Sequence, residues 1–198
     1  IPTLYLNFEA LSSSNIFLPG EGNTGFDEII YALKSKKQSV SLKIESNVLK
    51  NEDGLDFFNE ARIVLDMLEM SDEDISVLIR EIQSMGKYRH IIIDSNLNLG
   101  SRLNIFSKLA YKVIFVFEDT KLGIKKMSDL NEALHLLENG GIIDITNKLS
   151  LICNKVKDMN RVSIPESLSV RDFVKNYNAD SKELTQILSQ TPFLENLR

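Results

Sequence analysis

Eight residues, Lys87-Tyr88-Arg89-His90-Ile91-Ile92-Ile93-Asp94, constrain the fold of this chain more than any other stretch. A polar lead-in gives way to three β-branched residues and then to an acid. A short apolar run bounded in this way predicts a fully buried strand of a parallel sheet. An acid at the C-terminal end of such a strand stands where open α/β sheets hold their ligands. Taken alone, a strand-ending Asp more often just caps the next loop, so the rest of the chain has to decide its meaning.

The rest of the chain alternates strand and helix signals. Thr3-Leu4-Tyr5-Leu6-Asn7-Phe8 predicts a strand that begins at once, which suggests a chain cut from something longer. Gly20 to Thr24 form a Gly-rich loop, and a helix is expected over 26–34 with Asp27 and Glu28 in its first turn. Ser39 to Glu45 alternates Val40, Leu42 and Ile44 and predicts a half-exposed strand. After the turn Asn51-Glu52-Asp53-Gly54, a short strand over 55–58 would complete a hairpin with it. Ser71 to Met85 is the clearest helix, with Ile75, Leu78, Ile79 and Ile82 in one stripe and Ser71 and Asp74 placed as a capping box. Beyond it the pattern predicts a helix over 103–109, a buried strand over 112–117, and a helix over 128–137 stopped by Gly140-Gly141. A last strand follows over 149–154, then two polar helices over 170–176 and 181–189. The strands near 3–8, 89–94, 112–117 and 149–154 are expected to be mutually parallel, in an α/β fold whose mostly parallel sheet carries helices on both faces in three layers.

Bulk properties narrow the function classes. A chain of 198 residues fits one α/β domain with a sizeable core. Its net charge of −5 argues against a nucleic-acid surface, which needs clustered Lys and Arg to neutralise phosphates. The cluster Lys34-Ser35-Lys36-Lys37 is short and reads as a solvated helix end. Cys153, the single cysteine, excludes an internal disulfide and suits a reducing compartment; its apolar surroundings make it a small core residue. No apolar stretch approaches the roughly 20 residues of a membrane span, no signal peptide is visible, and the segment 181–189 lacks a basic membrane-facing side. A cytoplasmic chain without direct membrane insertion is expected. His90 and His135 stand apart, so no metal cluster is indicated. Neither a G-x-S-x-G elbow nor a Cys/His pair suggests a hydrolase or protease.

Two nucleotide chemistries remain. Gly20-Glu21-Gly22-Asn23-Thr24-Gly25 fits G-x-G-x-x-G, a helix is expected after it, and Glu45 ends the expected strand 20 residues past Gly25. A Rossmann-like dinucleotide site using Gly20, Gly22 and Gly25 is therefore the alternative reading. Against it, Pro19 sits where a buried strand should run straight into the first glycine, and proline donates no ladder hydrogen bond. The second chemistry is that of nucleotide hydrolases, in which an acid placed like Asp94, the Walker B aspartate, holds Mg²⁺ or its water shell. A matching Walker A is absent from the sequence. Gly20 and Gly25 are correctly separated, but Phe26-Asp27 stands where Lys and Ser or Thr would be needed to cradle phosphates.

Three pieces in order carry a family resemblance. Leu4-Tyr5-Leu6-Asn7-Phe8-Glu9 resembles the second strand of MinD/ParA-type P-loop ATPases, where an acidic signature, often D-x-D, follows the hydrophobic run. Tyr88 to Asp94 resembles their YDYIIID Walker B strand, and Leu151-Ile152-Cys153-Asn154-Lys155 their late strand ending in an adenine-reading Asn. The texts YLNFEALSSSNIF, GFDEIIYALKSKKQSVSLKIES and LDMLEMSDED are similar to the TadZ/CpaE-type proteins of Tad (Flp) pilus assembly. The resemblance runs from about Leu4 to Lys155. It implies a P-loop NTPase-like fold, and a P-loop strand and helix just before the strand at Leu4. Residues 1–198 are thus expected to form a single MinD/ParA-like domain without its first strand, P-loop and helix. Asp94 would be the catalytic Walker B acid, holding Mg²⁺ through water. Asn7 and Glu9 would occupy the acidic signature, although Asn7 is no carboxylate, and Asn154 with Lys155 would meet the adenine of ATP or ADP. Ser95-Asn96-Leu97-Asn98-Leu99-Gly100 departs from the family's compact D-T-P-P-G switch. The resemblance therefore implies a localisation and assembly module with weak or absent ATP hydrolysis. It also implies a homodimer that works with other pilus-assembly proteins, recruited to a cell pole or to the inner membrane face.

Overall fold

Alternating burial along Thr3–Asn7 (β1) sets the frame: Leu4 and Leu6 are fully buried while Thr3, Tyr5 and Asn7 on the opposite face are half-buried. The computed structural model describes residues 1–9, 11–20, 25–36, 39–96, 99–158, 164–177 and 181–189. The chain divides into two compact units, residues 1–99 and 100–198.

In residues 1–99, β1 is followed by a 3-10 turn at Ser14–Ile16 and the helices Asp27–Ser35 (α1) and Val40–Asn47 (α2). The short strands Leu49–Lys50 (β2) and Asp56–Phe57 (β3) come next, then Val64–Leu68 (α3), Asp72–Ser84 (α4) and His90–Asp94 (β4). The sheet order is β2-β3-β1-β4, with β1 parallel to both β3 and β4 and β2 antiparallel to β3. Leu4, Leu6, Ile29, Ile44, Ile75 and Leu78, from β1, α1, α2 and α4, are completely buried. The capping box at α4 forms as the sequence predicts: Ser71 Oγ accepts from Asp74 N at 3.1 Å and Asp74 Oδ2 accepts from Ser71 N at 2.9 Å.

In residues 100–198 the order is Ser101–Leu109 (α5), Val113–Glu118 (β5), Lys121–Asn139 (α6), a 3-10 turn at Thr146–Lys148, Leu149–Val156 (β6), Val170–Lys175 (β7) and Ser181–Ser189 (α7). The three strands run parallel in the order β5-β6-β7. Leu130 and Leu134 of α6, Phe117 of β5, and Leu151 and Cys153 of β6 form the centre of its core. Helix α6 starts at Thr120, whose hydroxyl accepts from Gly123 N at 2.9 Å, and stops where Gly141 takes φ +69°.

Three expectations are corrected. The segment 39–45 is the start of helix α2, not a strand. Ser39 caps it, accepting from Leu42 N at 3.4 Å, and the inward positions Val40, Ile44 and Asn47 follow the helical period. The hairpin is present, but its first arm is β2. Residues 170–176, expected as a polar helix, form β7 instead: Val170 and Phe173 pack on the core, while Arg171 and Lys175 point to solvent. Finally, the described strands fall into two sheets. In them β4 and β5 are end strands rather than fully buried ones, with Ile92 52% and Val116 57% exposed.

Candidate functional site

Parallel pairing brings the ends of β1 and β4 together. Asn7 is the register partner of Asp94, and Phe8 N donates to the Asp94 carbonyl at 2.8 Å. Two residues earlier on the same face of β1, the Tyr5 hydroxyl donates to Asp94 Oδ2 at 2.7 Å. Burial, first, and then this hydrogen bond and the charges of Asp94 and Glu9 push the Tyr5 phenol well above its ordinary range, so it is a permanent donor here. The other Asp94 oxygen has no hydrogen-bond partner among the described residues. Asn7 is committed to its own loop: Nδ2 donates to Ser12 Oγ at 2.7 Å, and Oδ1 accepts from Glu9 N at 2.7 Å. The side chain thus shapes the turn, and its neutral amide oxygen lacks the charge with which a carboxylate would hold a cation. Glu9, two residues on, lines a cavity of about 160 Å³ with Tyr5, Asn7 and Glu60. Leu97 and Asn98, in the segment after Asp94, lie outside the described residues.

In residues 100–198, β6 delivers Asn154 beside Glu118 of β5. The Asn154 carbonyl accepts from Asp119 N at 3.1 Å, and its side-chain Oδ1 accepts from Lys155 N at 2.8 Å. The side-chain NH₂ keeps its donor capacity. Lys155 adopts φ +57°, the left-handed region that a non-glycine residue enters at some cost, and its ammonium pairs with Glu118. Thus Asn7, Glu9 and Asp94 share one group of strand ends and Asn154 and Lys155 another. Cys153 is fully buried, and burial, with Asp119 nearby, pushes its thiol up to about 11, as a core residue requires. Among the described residues no group of three His, Cys, Asp or Glu side chains could hold a metal. No described helix is long and apolar enough to cross a membrane.

The glycine fingerprint loses its structural context. Between Asn7 and Gly20 the described residues contain a 3-10 turn and no strand, and Gly22 lies outside the described residues. A Cβ on Gly20 would run into the side chain of Asn59, and one on Gly25 into the carbonyl of Glu60. These two glycines are therefore explained by close approach of the 59–60 backbone and side chains. The first turn of α1 is already occupied by the Asp27 carboxylate, which accepts from Arg62 Nε at 2.9 Å. Burial works to raise the Asp27 pKa, but the Arg62 contacts outweigh it and keep the group below its ordinary value. The role of Tyr5 escapes sequence reading, because only the register of β1 on β4 reveals it.

No family model matches the chain, and no curated protein is similar to it in sequence. Solved structures are similar in fold. The crystal structure of a ParA family ATPase from Chlorobium tepidum aligns with a TM-score of 0.68 at 15% identity, over 98% of this chain and 79% of that one. MinD in the MinC:MinD cell division complex of Aquifex aeolicus gives 0.61 at 16% identity, over 89% and 69%. The septum site-determining protein MinD of Pyrococcus horikoshii, complexed with Mg-ADP, gives 0.61 at 14%, over 88% and 69%. The chain therefore has the α/β architecture of the ParA/MinD P-loop ATPases, with mostly parallel sheets and flanking helices.

Proposed function

We propose that this chain is a MinD/ParA-type domain of the TadZ/CpaE branch, serving Tad pilus assembly as a localisation and interaction module. Residues 1–198 supply only part of a nucleotide site. The observation that carries the reading is the state of the strand ends: Asp94 is held by Tyr5, and Asn7, where the family has an acid, spends its amide on its own loop. Asp94 would hold Mg²⁺ through water, Glu9 would supply the remaining charge of the signature, and Asn154 with Lys155 would meet the adenine of ATP or ADP. Residues 1–198 contain no Walker A lysine, so on their own they are expected to bind ATP weakly and to hydrolyse it slowly or not at all. The reading includes a first strand, P-loop and helix missing from residues 1–198. Among the described residues β4 and β5 are the end strands of their sheets, which is what supports it, since the edge of an end strand can accept a further parallel strand. A homodimer, other pilus-assembly proteins as partners, and cytoplasmic recruitment to a pole or the inner membrane face belong to the same proposal.

Calorimetry with ATP and with NADH, each with Mg²⁺, tests the chemistry. ATP is expected to bind weakly and in preference to NADH, and Gly22→Val is expected to change neither result. Tight NADH binding abolished by Gly22→Val would replace this reading with the dinucleotide one.

A further inference from the structure

The segment 58–61, which follows β3, closes the 160 Å³ cavity against the end of β1 and the entry to α1. Its floor is fixed and aromatic: Phe26 is 4% exposed, and its ring centroid lies 5.7 Å from that of Phe58. Two carboxylates, Glu9 and Glu60, line it, and no basic side chain among the described residues does. Glu60 is held in place through Oε1, which accepts from Asn15 N at 3.1 Å and from Ser14 Oγ at 3.3 Å. Its other oxygen has no partner among the described residues. Arg62, two positions on, does not neutralise the cavity, because its guanidinium is paired with Asp27 and Glu28.

Size and surroundings say what the cavity takes. Small-molecule sites run to roughly 300–1,000 Å³, so this one is too small for a nucleotide and suits a single side chain. Its mouth is apolar. Leu11 is 79% exposed, and beside the cavity α3 and the residue before it present Ile63, Val64, Leu65 and Leu68, all more than 40% exposed. Grouped exposure of large apolar side chains marks a contact surface. Negative charge inside an apolar ring is complementary to one cation carried among apolar residues. Arginine suits this best, with its stem against aromatic rings and its guanidinium on a carboxylate.

We propose that this face docks a protein segment that inserts one arginine or lysine side chain between Glu9 and Glu60 and lays apolar neighbours along α3. The proposal rests on the reading above in one respect: the cavity is lined by Tyr5, Asn7 and Glu9, so a docked cation would share Glu9 with the proposed nucleotide signature, although Asp94 itself does not line the cavity.

The test uses the ¹⁵N-labelled 198-residue chain titrated with butylguanidinium and with its neutral analogue butylurea. Amide shifts at Phe26, Phe58, Glu60 and Val64 are expected with butylguanidinium, at an affinity about tenfold above that of butylurea. Glu60→Gln keeps an acceptor for Ser14 and Asn15 and is expected to remove most of that difference. A fluorescein-labelled, leucine-rich amphipathic peptide with one central arginine is expected to bind the wild-type chain. It should lose about tenfold when its arginine becomes glutamine, and a similar factor against Leu65→Asp, an exposed change that leaves the fold intact. Equal responses to the two small probes, or indifference to Glu60→Gln, would overturn the proposal. So would sedimentation showing a self-dimer that Leu65→Asp dissolves, which would assign the face to a second copy.

Discussion

Asp56 shows how a single charge is made safe inside this fold. The residue is 3% exposed, yet it sits at the junction of three strands with Lys50 Nζ 2.7 Å from Oδ1, Lys87 Nζ 2.8 Å from Oδ2, and the Tyr88 hydroxyl donating to Oδ2 at 2.9 Å. Burial alone would raise its pKa; the two ammonium groups and the phenol outweigh burial and hold it below the ordinary carboxylate value. A depressed folded pKa contributes stability that is complete above the unfolded value of about 3.9 and is lost as pH falls through the folded one. Urea unfolding at neutral pH is expected to show Asp56→Asn less stable by about 2 kcal/mol. That is less than a fully buried pair would lose, because both lysines reach solvent. Below about pH 4 the gap to wild type should narrow, since the unfolded wild-type chain then takes up a proton at this carboxyl that the folded one still refuses. Tyr5 is the other informative residue. Tyr5→Phe removes one hydrogen bond, worth about 1 kcal/mol, and frees Asp94 Oδ2. Thermal unfolding should change little, while MgATP binding measured by calorimetry should tighten if Asp94 is the cation-holding acid.

At the scale of elements, the long periodic segments were readable and the short ambiguous ones were not. Helix α4 declares itself through its stripe and its capping box, β4 and β5 through runs rich in β-branched residues, and β6 through the apolar stretch around Leu151, Ile152 and Cys153. Helix α2 and strand β7 exchange identities with what their patterns suggest, because five or six residues fit both periods and tertiary packing decides. Val40, Leu42 and Ile44 alternate like a strand, yet only Ile44 is fully buried while Leu42 is 65% exposed. This asymmetry can be measured by urea unfolding. Ile44→Ala is expected to lose about 3 kcal/mol and Leu42→Ala about 0.5 kcal/mol or less; equal losses would restore the strand. The glycines make a similar point. Gly25→Ala would press a methyl against the Glu60 carbonyl, and a loss of about 2 kcal/mol in the same assay is expected. The site was legible only in outline. The pattern put Asn7 and Asp94 at strand ends, but the spent Asn7 amide, the Tyr5 bond and the Glu60 cavity depend on register and loop path, which composition does not carry.

At the scale of the whole molecule, the parallel sheets and helices give a ParA/MinD-like fold, and the question is whether that fold still answers to nucleotide. On the proposed reading, residues 1–198 bind nucleotide weakly and do not switch with it. They offer Asp94 and Asn7 at one group of strand ends and no Walker A lysine, so alone they leave the phosphates of ATP without their main electrostatic partner. Any self-association would then come from fixed surfaces, such as the edges of the end strands β4 and β5, and would be blind to the state of Asp94. Sedimentation velocity of the 198-residue chain and of Asp94→Ala, each with and without MgATP, puts this to the most direct test. One sedimentation profile is expected under all four conditions. A dimer that forms only with MgATP and disappears in Asp94→Ala would contradict it and show a working nucleotide switch.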